Sequence, residues 1–492
     1  MSARTQSRRA LALVFIALFV AIQTLLWFAY YGHGAKPLIG DEASYQASAI
    51  AILGGGPWMP STIWPPLQPL MLAAIYAVVG VHLLAVQTVQ TVLFIGCAAL
   101  LRGLWRRIGG SVAAANTTAA LFLLNPATAA YAQWLWPEIV HLFLLLAVFW
   151  LLARPLSRFG SSVAGTCVGL AILAKSLLAP FWPLFLIAFV RREKPRFATG
   201  SAVVFICALA LVTGPALVHG WRSFGKPMIA DSSIYNLWVG LTDQWRSDYV
   251  GDMGGATLPA FLASGTTPQQ RNAVYLDKVR GVIAERGIGT VLVDQLSRQY
   301  FRLFSAKTPL LSQLPGPACA GHLSIYTSAP WLTRTLTALN DLSHALMLLA
   351  AAFGIACWRW RNPLRAFDPR QGSTTELLIA LFFAYQLALF ALIHVKARFA
   401  LPMIPFLCGF GGSFLVALRE RARLIGTAPT VMPAHGPMNS TSIAACIAAS
   451  ESLPMRSPVR LTPLRLAIGA VLAALLLFLA FAGPALDQLC AR

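Results

Sequence analysis

The stretch ALALVFIALFVAIQTLLWFAYY, residues 10–31, has no charged side chain in 22 positions and follows Arg4, Arg8 and Arg9. About 20 consecutive apolar residues are enough for a helix to cross the hydrocarbon core of a bilayer. The run is longer than the apolar region of an ordinary signal peptide, and no pair of small residues typical of a cleavage site follows it. We therefore expect an uncleaved first membrane span.

Comparable apolar runs recur along the whole chain of 492 residues, of which 57% are hydrophobic and only 11% charged. In soluble domains about a quarter of all residues are charged, so this composition indicates a protein solvated by lipid. The sequence predicts an all-α polytopic membrane protein with about 11 transmembrane helices. The expected spans are 10–31, 81–101, 112–126, 138–153, 161–178, 179–190, 198–219, 336–357, 375–394, 400–418 and 464–484.

The net charge of +21 raises the question of a nucleic-acid partner. The basic residues are dispersed between apolar runs instead of forming one patch, which argues against such a partner. With the N-terminus in the cytoplasm, 22 of the 38 Lys and Arg residues fall in cytoplasmic segments. This distribution follows the positive-inside rule and predicts that orientation.

Two long segments fall on the external side of this topology. The first, residues 33–80, is expected to contain a helix over Asp41–Leu53 and an apolar interfacial helix over Pro69–Val79. The second, residues 220–335 between spans 7 and 8, contains an amphipathic stretch at 269–304 that predicts interfacial helices. The expected units are an N-terminal transmembrane core (1–219), an external segment (220–335) and C-terminal transmembrane helices (336–492) with a cytoplasmic linker at 424–463.

The segment Gly40-Asp41-Glu42-Ala43-Ser44-Tyr45 opens the first of these helices with two adjacent carboxylates. A carboxylate at the edge of the bilayer, partly shielded from water, can act as a general base. Alternatively, Asp41 is an N-cap and Glu42 complements the helix dipole. The local residues alone leave both interpretations open.

The order of motifs resembles the GT-C superfamily of membrane glycosyltransferases, in particular protein O-mannosyltransferases, lipid A aminoarabinose transferases and bacterial relatives that use polyprenyl-phosphate sugars. Those enzymes have an Asp-Glu pair in the first external loop, then a Tyr, an Ala-rich helix, a Gly-rich turn and a Pro-rich segment. The matching features here are Asp41-Glu42, Tyr45, residues 47–53, Gly54–Gly56 and Pro65-Pro66, with further similar segments at 125–138, 169–175, 225–240 and 394–405.

One part of the first loop departs from this pattern. The aminoarabinose transferases carry a Lys beside the prolines of that loop, whereas Thr62–Pro66 contains none. For this chain we therefore assume neither a contact of such a Lys with the lipid phosphate nor aminoarabinose as the sugar.

The resemblance implies an inverting glycosyltransferase of a bacterial inner membrane, with its active site on the periplasmic face. The donor would be a sugar linked to a polyprenyl phosphate, and the acceptor a hydroxyl of a lipid, a glycan or a protein. Such chemistry needs a base at the hydroxyl and positive charge at the leaving phosphate. Asp41 is the expected base, with Glu42 as its helper or as a substrate ligand, and Tyr45 is expected at the substrate.

Four further residues are candidates for binding substrate or phosphate. Glu138 follows Pro137 at a helix start, where the helix dipole also favours a carboxylate. Lys175 ends an apolar stretch and either binds phosphate or extends to the interface. Lys396 and Arg398 lie in a short external loop, where topology disfavours positive charge, and Arg398 suits bidentate contact with phosphate.

Metal binding and aromatic contacts are less sharply indicated. A divalent cation stays open as a cofactor, but His33 and His394 lack a third spaced ligand, so no metal site is predicted. Four tryptophans in external loops are expected to form an interfacial belt, with sugar stacking as the alternative: Trp58, Trp64, Trp134 and Trp136.

The alternative to a glycosyltransferase, from a different functional class, is a transporter or lipid flippase. It predicts paired charges or broken helices at mid-membrane and an internal repeat. The ionisable residues instead lie near loop ends, and both large hydrophilic segments fall on one side, which favours an enzyme. A scaffold protein without activity stays open, and the sequence does not specify the sugar, the acceptor or the oligomeric state.

Overall fold

The computed structural model describes residues 3–31, 36, 38, 41–155, 157–190, 195–242, 257–306, 330–359, 372–426 and 458–489. Within these ranges all regular elements are helices, and one isolated β-bridge pairs Trp358 with Val459. The predicted all-α class is confirmed for this part of the chain. Most of the expected linker at 424–463 lies outside the described residues.

Eighteen α-helices are present in the described ranges. They are α1 (Ala3–Tyr31), α2 (Asp41–Leu53), α3 (Leu67–Val79), α4 (Leu83–Ile108), α5 (Val112–Leu123), α6 (Pro126–Ala130), α7 (Glu138–Leu152), α8 (Arg158–Ala174), α9 (Ile187–Val190), α10 (Pro195–Phe224), α11 (Ser233–Thr242), α12 (Thr257–Ala263), α13 (Pro268–Arg286), α14 (Ile288–Arg298), α15 (Pro330–Cys357), α16 (Gly372–Phe390), α17 (Ile404–Gly426) and α18 (Pro463–Leu489).

Five helices in the described ranges are long and apolar enough to cross a membrane, namely those within α1, α4, α10, α15 and α18. A sixth candidate is the pair formed by Pro126–Gln133 and α7, which meet at a bend of 115°. The shorter apolar helices are α3, α5, α8 and α16. These features define a multi-pass membrane protein, whereas the predicted number of eleven spans is not confirmed.

The expected span at 179–190 is not a continuous helix. It contains a 3-10 helix, Trp182–Leu186, followed by the four-residue α9. Pro180 and Pro183 lack a backbone N–H and clash with the preceding turn, which prevents a regular α-helix. The sequence predicted only a short span here, either kinked or extending into the loops, and the structure shows a broken path.

Helices α8 and α10 pack closely and run in the same direction. Gly165 of α8 meets the backbone of Phe205, and one turn later Gly169 meets Val212. Because these contacts advance together along both helices, the intervening chain must return to the opposite end of the bundle. A 3-10 helix rises about 2.0 Å per residue, so residues 176–190 can cover that distance without a regular span.

The helices of the first loop, residues 41–80, agree with the prediction. Helix α2 has the expected bounds, and α3 begins two residues earlier than expected. The N–H of Gly54 bonds to Ile50 O at 3.0 Å, and Gly55 follows with a φ of 84°. Glycine accepts such a positive φ without strain, so this turn ends α2 where the sequence predicts. The amphipathic stretch at 269–304 is likewise helical, as α13, α14 and a 3-10 helix.

A buried polar tie connects the first loop to the segment after α10. Asp231, whose side chain is 1% exposed, donates its N–H to Thr62 O at 2.6 Å. Arg271 of α13 donates to Asp231 Oδ2 at 3.3 Å and to Thr62 Oγ1 at 3.1 Å. Trp64, two residues further on, packs against Tyr45 of α2 with ring centres 5.7 Å apart. The tie therefore fixes the loop segment Thr62–Trp64, which packs against α2.

We predict that Gly165→Ala destabilises the protein by about 1–3 kcal/mol, because the backbone of α10 already fills the space beside Gly165. A Cβ at this position would lie 2.2 Å from the backbone oxygen of Phe205, so α8 and α10 would have to separate. Thermal unfolding in detergent measures the effect. Gly214→Ala in α10 is the matched control, since no atom lies within 4 Å of its added Cβ; equal melting temperatures for the two variants would contradict the prediction.

Candidate active site

Asp41, the first residue of α2, forms an ion pair with Arg398. Arg398 Nη2 donates to Asp41 Oδ2 at 2.9 Å, and the side chains of Arg398 and Asp41 are 13% and 23% exposed. Burial alone would lower the pKa of Arg398, but the carboxylates of Asp41 and Glu138 raise that pKa above its ordinary value. Arg398 therefore keeps its positive charge inside the protein.

Glu138 begins α7 directly after Pro137, as predicted, and its side chain is 3% exposed. Lys175, at the C-terminal end of α8, contacts Glu138 Oε1 at 3.1 Å, and Arg398 Nε lies 4.0 Å from the same oxygen. Four predicted site residues thus form one ionic chain, Asp41–Arg398–Glu138–Lys175. It balances two carboxylates with two cations drawn from four distant parts of the sequence.

Aromatic side chains enclose the ionic chain. The guanidinium carbon of Arg398 lies 4.6 Å from the ring centre of Trp136, and Phe399 lies 5.5 Å from the cationic groups of both Arg398 and Lys175. Trp134 and Trp136 are only 4% and 5% exposed, with ring centres 4.2 Å apart. The expectation that these two belong to an interfacial belt was wrong, because they pack on each other and on cations within the protein.

Tyr45 lies one helical turn after Asp41 and is 4% exposed. Burial, together with the nearby carboxylates of Asp41 and Glu138, raises the pKa of Tyr45 well above its ordinary value. The side chain is therefore a neutral phenol beside the ionic chain, able to donate a hydrogen bond.

The backbone between α6 and α7 departs from the α-helix, and glutamine side chains supply its hydrogen bonds. An unpaired carbonyl in apolar surroundings is unfavourable by several kcal/mol, so these donors stabilise the segment that carries Trp136 and precedes Glu138. Three buried glutamines donate to four carbonyl oxygens at 2.7–3.2 Å: Gln87 to Gln133, Gln90 to Ala132 and Trp134, and Gln68 to Leu135.

Glu42 lies outside the ionic chain. Its fully buried carboxylate pairs with Lys36, whose Nζ is 2.6 Å and 2.7 Å from the two oxygens, and accepts the N–H of Leu135 at 2.9 Å. The structure thus places the two adjacent carboxylates in different surroundings. The predicted role of Glu42 as a helper or substrate ligand stays a prediction.

Lys396 is buried two residues before Arg398, at the start of the 3-10 helix Ala397–Ala400. Burial, together with the charges of Lys396 and Arg398, lowers the pKa of His394 well below its ordinary value, so this imidazole is neutral. Among the described residues no three His, Cys, Asp or Glu side chains form a metal-binding group. His33 lies outside the described residues, and the predicted role of Lys396 stays a prediction.

Lys36 and the three glutamines are the residues that sequence reasoning missed. Gln87 and Gln90 are spaced as neighbours on one helix face inside an otherwise apolar run. Polar residues inside a membrane segment usually face a protein partner, and this was the available signal. Lys36 carried a weaker signal, since a lone Lys near the end of a span is common.

No protein-family model matches the sequence, and no curated protein matches it at a significant level. Similar solved structures include the Archaeoglobus fulgidus oligosaccharyltransferase complex with zinc and sulfate, at 12% identity and a TM-score of 0.46 over 93% of this chain. The chain spans only about half, 53%, of that protein's length.

ArnT from Cupriavidus metallidurans is also similar, at 14% identity in two structures. The apo structure has a TM-score of 0.36, covering 84% of this chain and 79% of ArnT. The structure bound to undecaprenyl phosphate has a TM-score of 0.34, covering 95% of this chain and 89% of ArnT.

We predict that Gln90→Leu destabilises the protein by about 1–3 kcal/mol for each carbonyl that loses its donor. The leucine fills similar space but leaves the oxygens of Ala132 and Trp134 without that amide. Thermal unfolding measures the loss, and Thr88→Val on the exposed face of the same helix is the control, since its hydroxyl bonds only Leu84 O of its own helix. If Gln90→Leu melted at the wild-type temperature, the glutamine would not support this segment.

Proposed function

We propose that this chain is a glycosyltransferase that moves a sugar from a polyprenyl-phosphate donor to an acceptor hydroxyl. The observation that supports this most directly is the ionic chain, which brings a partly exposed carboxylate, Asp41, next to the largely buried cation Arg398. A base and an anion-binding group side by side are what glycosyl transfer from a phosphate requires. The apolar helices around the site leave the lipid tail of such a donor in the bilayer.

Asp41 is the proposed general base. Its carboxylate takes the proton of the acceptor hydroxyl while the hydroxyl oxygen attacks the anomeric carbon. The bond from that carbon to the phosphate oxygen breaks, and its electron pair leaves with the lipid phosphate. Because attack and departure occur on opposite faces, the product has inverted configuration.

Arg398 and Lys175 are the proposed partners of the leaving phosphate. The charge on that phosphate grows from about one negative charge in the diester to about two in the released monoester. Cations that are already oriented stabilise such a developing charge more in the transition state than in the ground state. Glu138 contacts both cations and holds them in place, and Tyr45 and Lys396 are proposed to complete the substrate site.

The pairing of Asp41 with Arg398 implies an order of events. Arg398 pairs with the proposed base and neutralises it. A donor phosphate that binds Arg398 would compete for the guanidinium and release Asp41 to accept a proton. We therefore propose that the donor binds before the acceptor.

The distribution of basic residues supports a cytoplasmic N-terminus and a site on the opposite face of the membrane. The motif resemblance supports a bacterial inner membrane, in which that face is periplasmic. The acceptor is proposed to be a hydroxyl of a lipid, a glycan or a protein that reaches this face. A polyprenyl-linked donor stays in the bilayer, so the reaction must take place at the membrane surface.

Purified protein should transfer sugar from a polyprenyl-phosphate donor, and Asp41→Asn should lower kcat by about 10²–10⁴-fold because the base is lost. Arg398→Gln should lower kcat by about 10²–10³-fold because the leaving phosphate loses a donor. Product formation from a labelled donor measures both.

The matched controls are Asp277→Asn and Arg280→Gln, which alter an exposed ion pair at 3.3 Å on α13. Both should retain wild-type turnover. Full activity of Asp41→Asn would remove the proposed base, and movement of intact donor lipid across a vesicle membrane without sugar transfer would favour a flippase.

Asp41→Asn should bind polyprenyl phosphate about 10-fold more tightly than wild type while failing to turn over, because one charged competitor for Arg398 is gone. Titration of the purified protein with that lipid, followed by intrinsic tryptophan fluorescence, tests this. Asp277→Asn should bind as wild type does, and weaker binding by Asp41→Asn would overturn the proposed exchange of partners.

A further inference from the structure

Lys36 and Glu42 form a buried ion pair next to the ionic chain but separate from it. Their side chains are 1% and 0% exposed. The Lys36 ammonium also lies 5.0 Å from the ring centre of Trp134 and 5.8 Å from that of Tyr30. The pair thus joins the end of α1, the start of α2 and the segment before α7.

Glu42 extends this connection into the backbone. Its Oε1 accepts the N–H of Leu135 at 2.9 Å, while the carbonyl of Leu135 accepts from Gln68 at 2.9 Å. Both backbone polar groups of Leu135 are therefore hydrogen-bonded to side chains, one residue before Trp136. The Glu42 carboxylate thereby fixes both the start of α2 and the segment before α7, which meet at the ionic chain.

The arrangement also fixes the direction of Asp41. Successive residues of an α-helix point about 100° apart, since a turn contains 3.6 residues. Anchoring Glu42 against Lys36 in the interior turns Asp41 towards Arg398, which it contacts at 2.9 Å. A buried ion pair adds little net stability compared with apolar residues of similar size, so stability alone does not account for it.

We propose that Lys36 and Glu42 are positioning residues, which hold Asp41 and the Trp136–Glu138 segment in the geometry needed for transfer. This inference rests on the function proposed above and assigns Lys36 a role. In this proposal Glu42 is the predicted helper of Asp41, acting through Asp41 and Leu135, and not the substrate ligand that was its alternative role.

The test compares Lys36→Met, Glu42→Leu and the double variant. Each single change should lower kcat by about 10²-fold with a nearly unchanged KM, because a small displacement of a catalytic group slows the reaction that strongly. The double variant should recover the melting temperature, since neither charge is left unpaired, but its kcat should stay low. Lys36→Arg, which keeps the charge, should recover part of kcat.

A merely structural pair would behave differently, because kcat would return together with the melting temperature in the double variant. That result would overturn the proposal. Asp277→Asn/Arg280→Gln, which removes an exposed ion pair, is the double control and should leave both quantities unchanged.

Hydrogen exchange separates this inference from the proposed function, because it needs no substrate. The amide of Leu135 should exchange faster in Glu42→Leu and in Lys36→Met, and unchanged exchange in both would overturn the coupling even if the wild type transfers sugar. Failure of the wild type to transfer sugar, with faster exchange in these variants, would remove the proposed function and keep the coupling between the two segments.

Discussion

Two carboxylates and two cations share one largely buried site, and much of the architecture depends on their mutual neutralisation. An unpaired charge away from water is strongly unfavourable, so each member of the ionic chain needs its neighbour. Those neighbours belong to α2, α7, the end of α8 and the loop before α17. Neutralising the charges therefore requires that these helix ends converge. The proposed site thus also restricts how the helices can be arranged.

Convergence of helix ends requires breaks in the helices. Irregular backbone inside a membrane protein is tolerated only where protein groups satisfy its hydrogen bonds. The turn before α7 meets this requirement with the amides of Gln68, Gln87 and Gln90. The return after α8 meets it with 3-10 hydrogen bonds around Pro180 and Pro183. The two breaks carry or adjoin Glu138 and Lys175.

Local sequence signals predicted the features that depend on nearby residues. The bounds of α2 followed from its first-turn acids and the glycines after it, and Glu138, Lys175 and Arg398 stood out as charges beside apolar runs. The sequence did not predict that these residues form one ionic chain, because Arg398 and Asp41 are 357 positions apart. The glutamines were missed for the same reason, since their carbonyl partners lie 42 to 67 positions away. Lys36 was missed although Glu42 is only six positions away, because a lone Lys near the end of a span is common. At 179–190 the sequence predicted a short span, and its two prolines account for the 3-10 path that the structure shows.

The tie between Asp231, Arg271 and Thr62 has a consequence for how the protein opens. Moving one segment away without the other would leave a buried carboxylate or a buried guanidinium without its counter-charge, which is unfavourable. The segment around Thr62 and helices α11–α13 therefore belong to one cooperative unit of local unfolding. Ordering of one member of that unit, by any bound molecule, is transmitted to the other as protection from solvent.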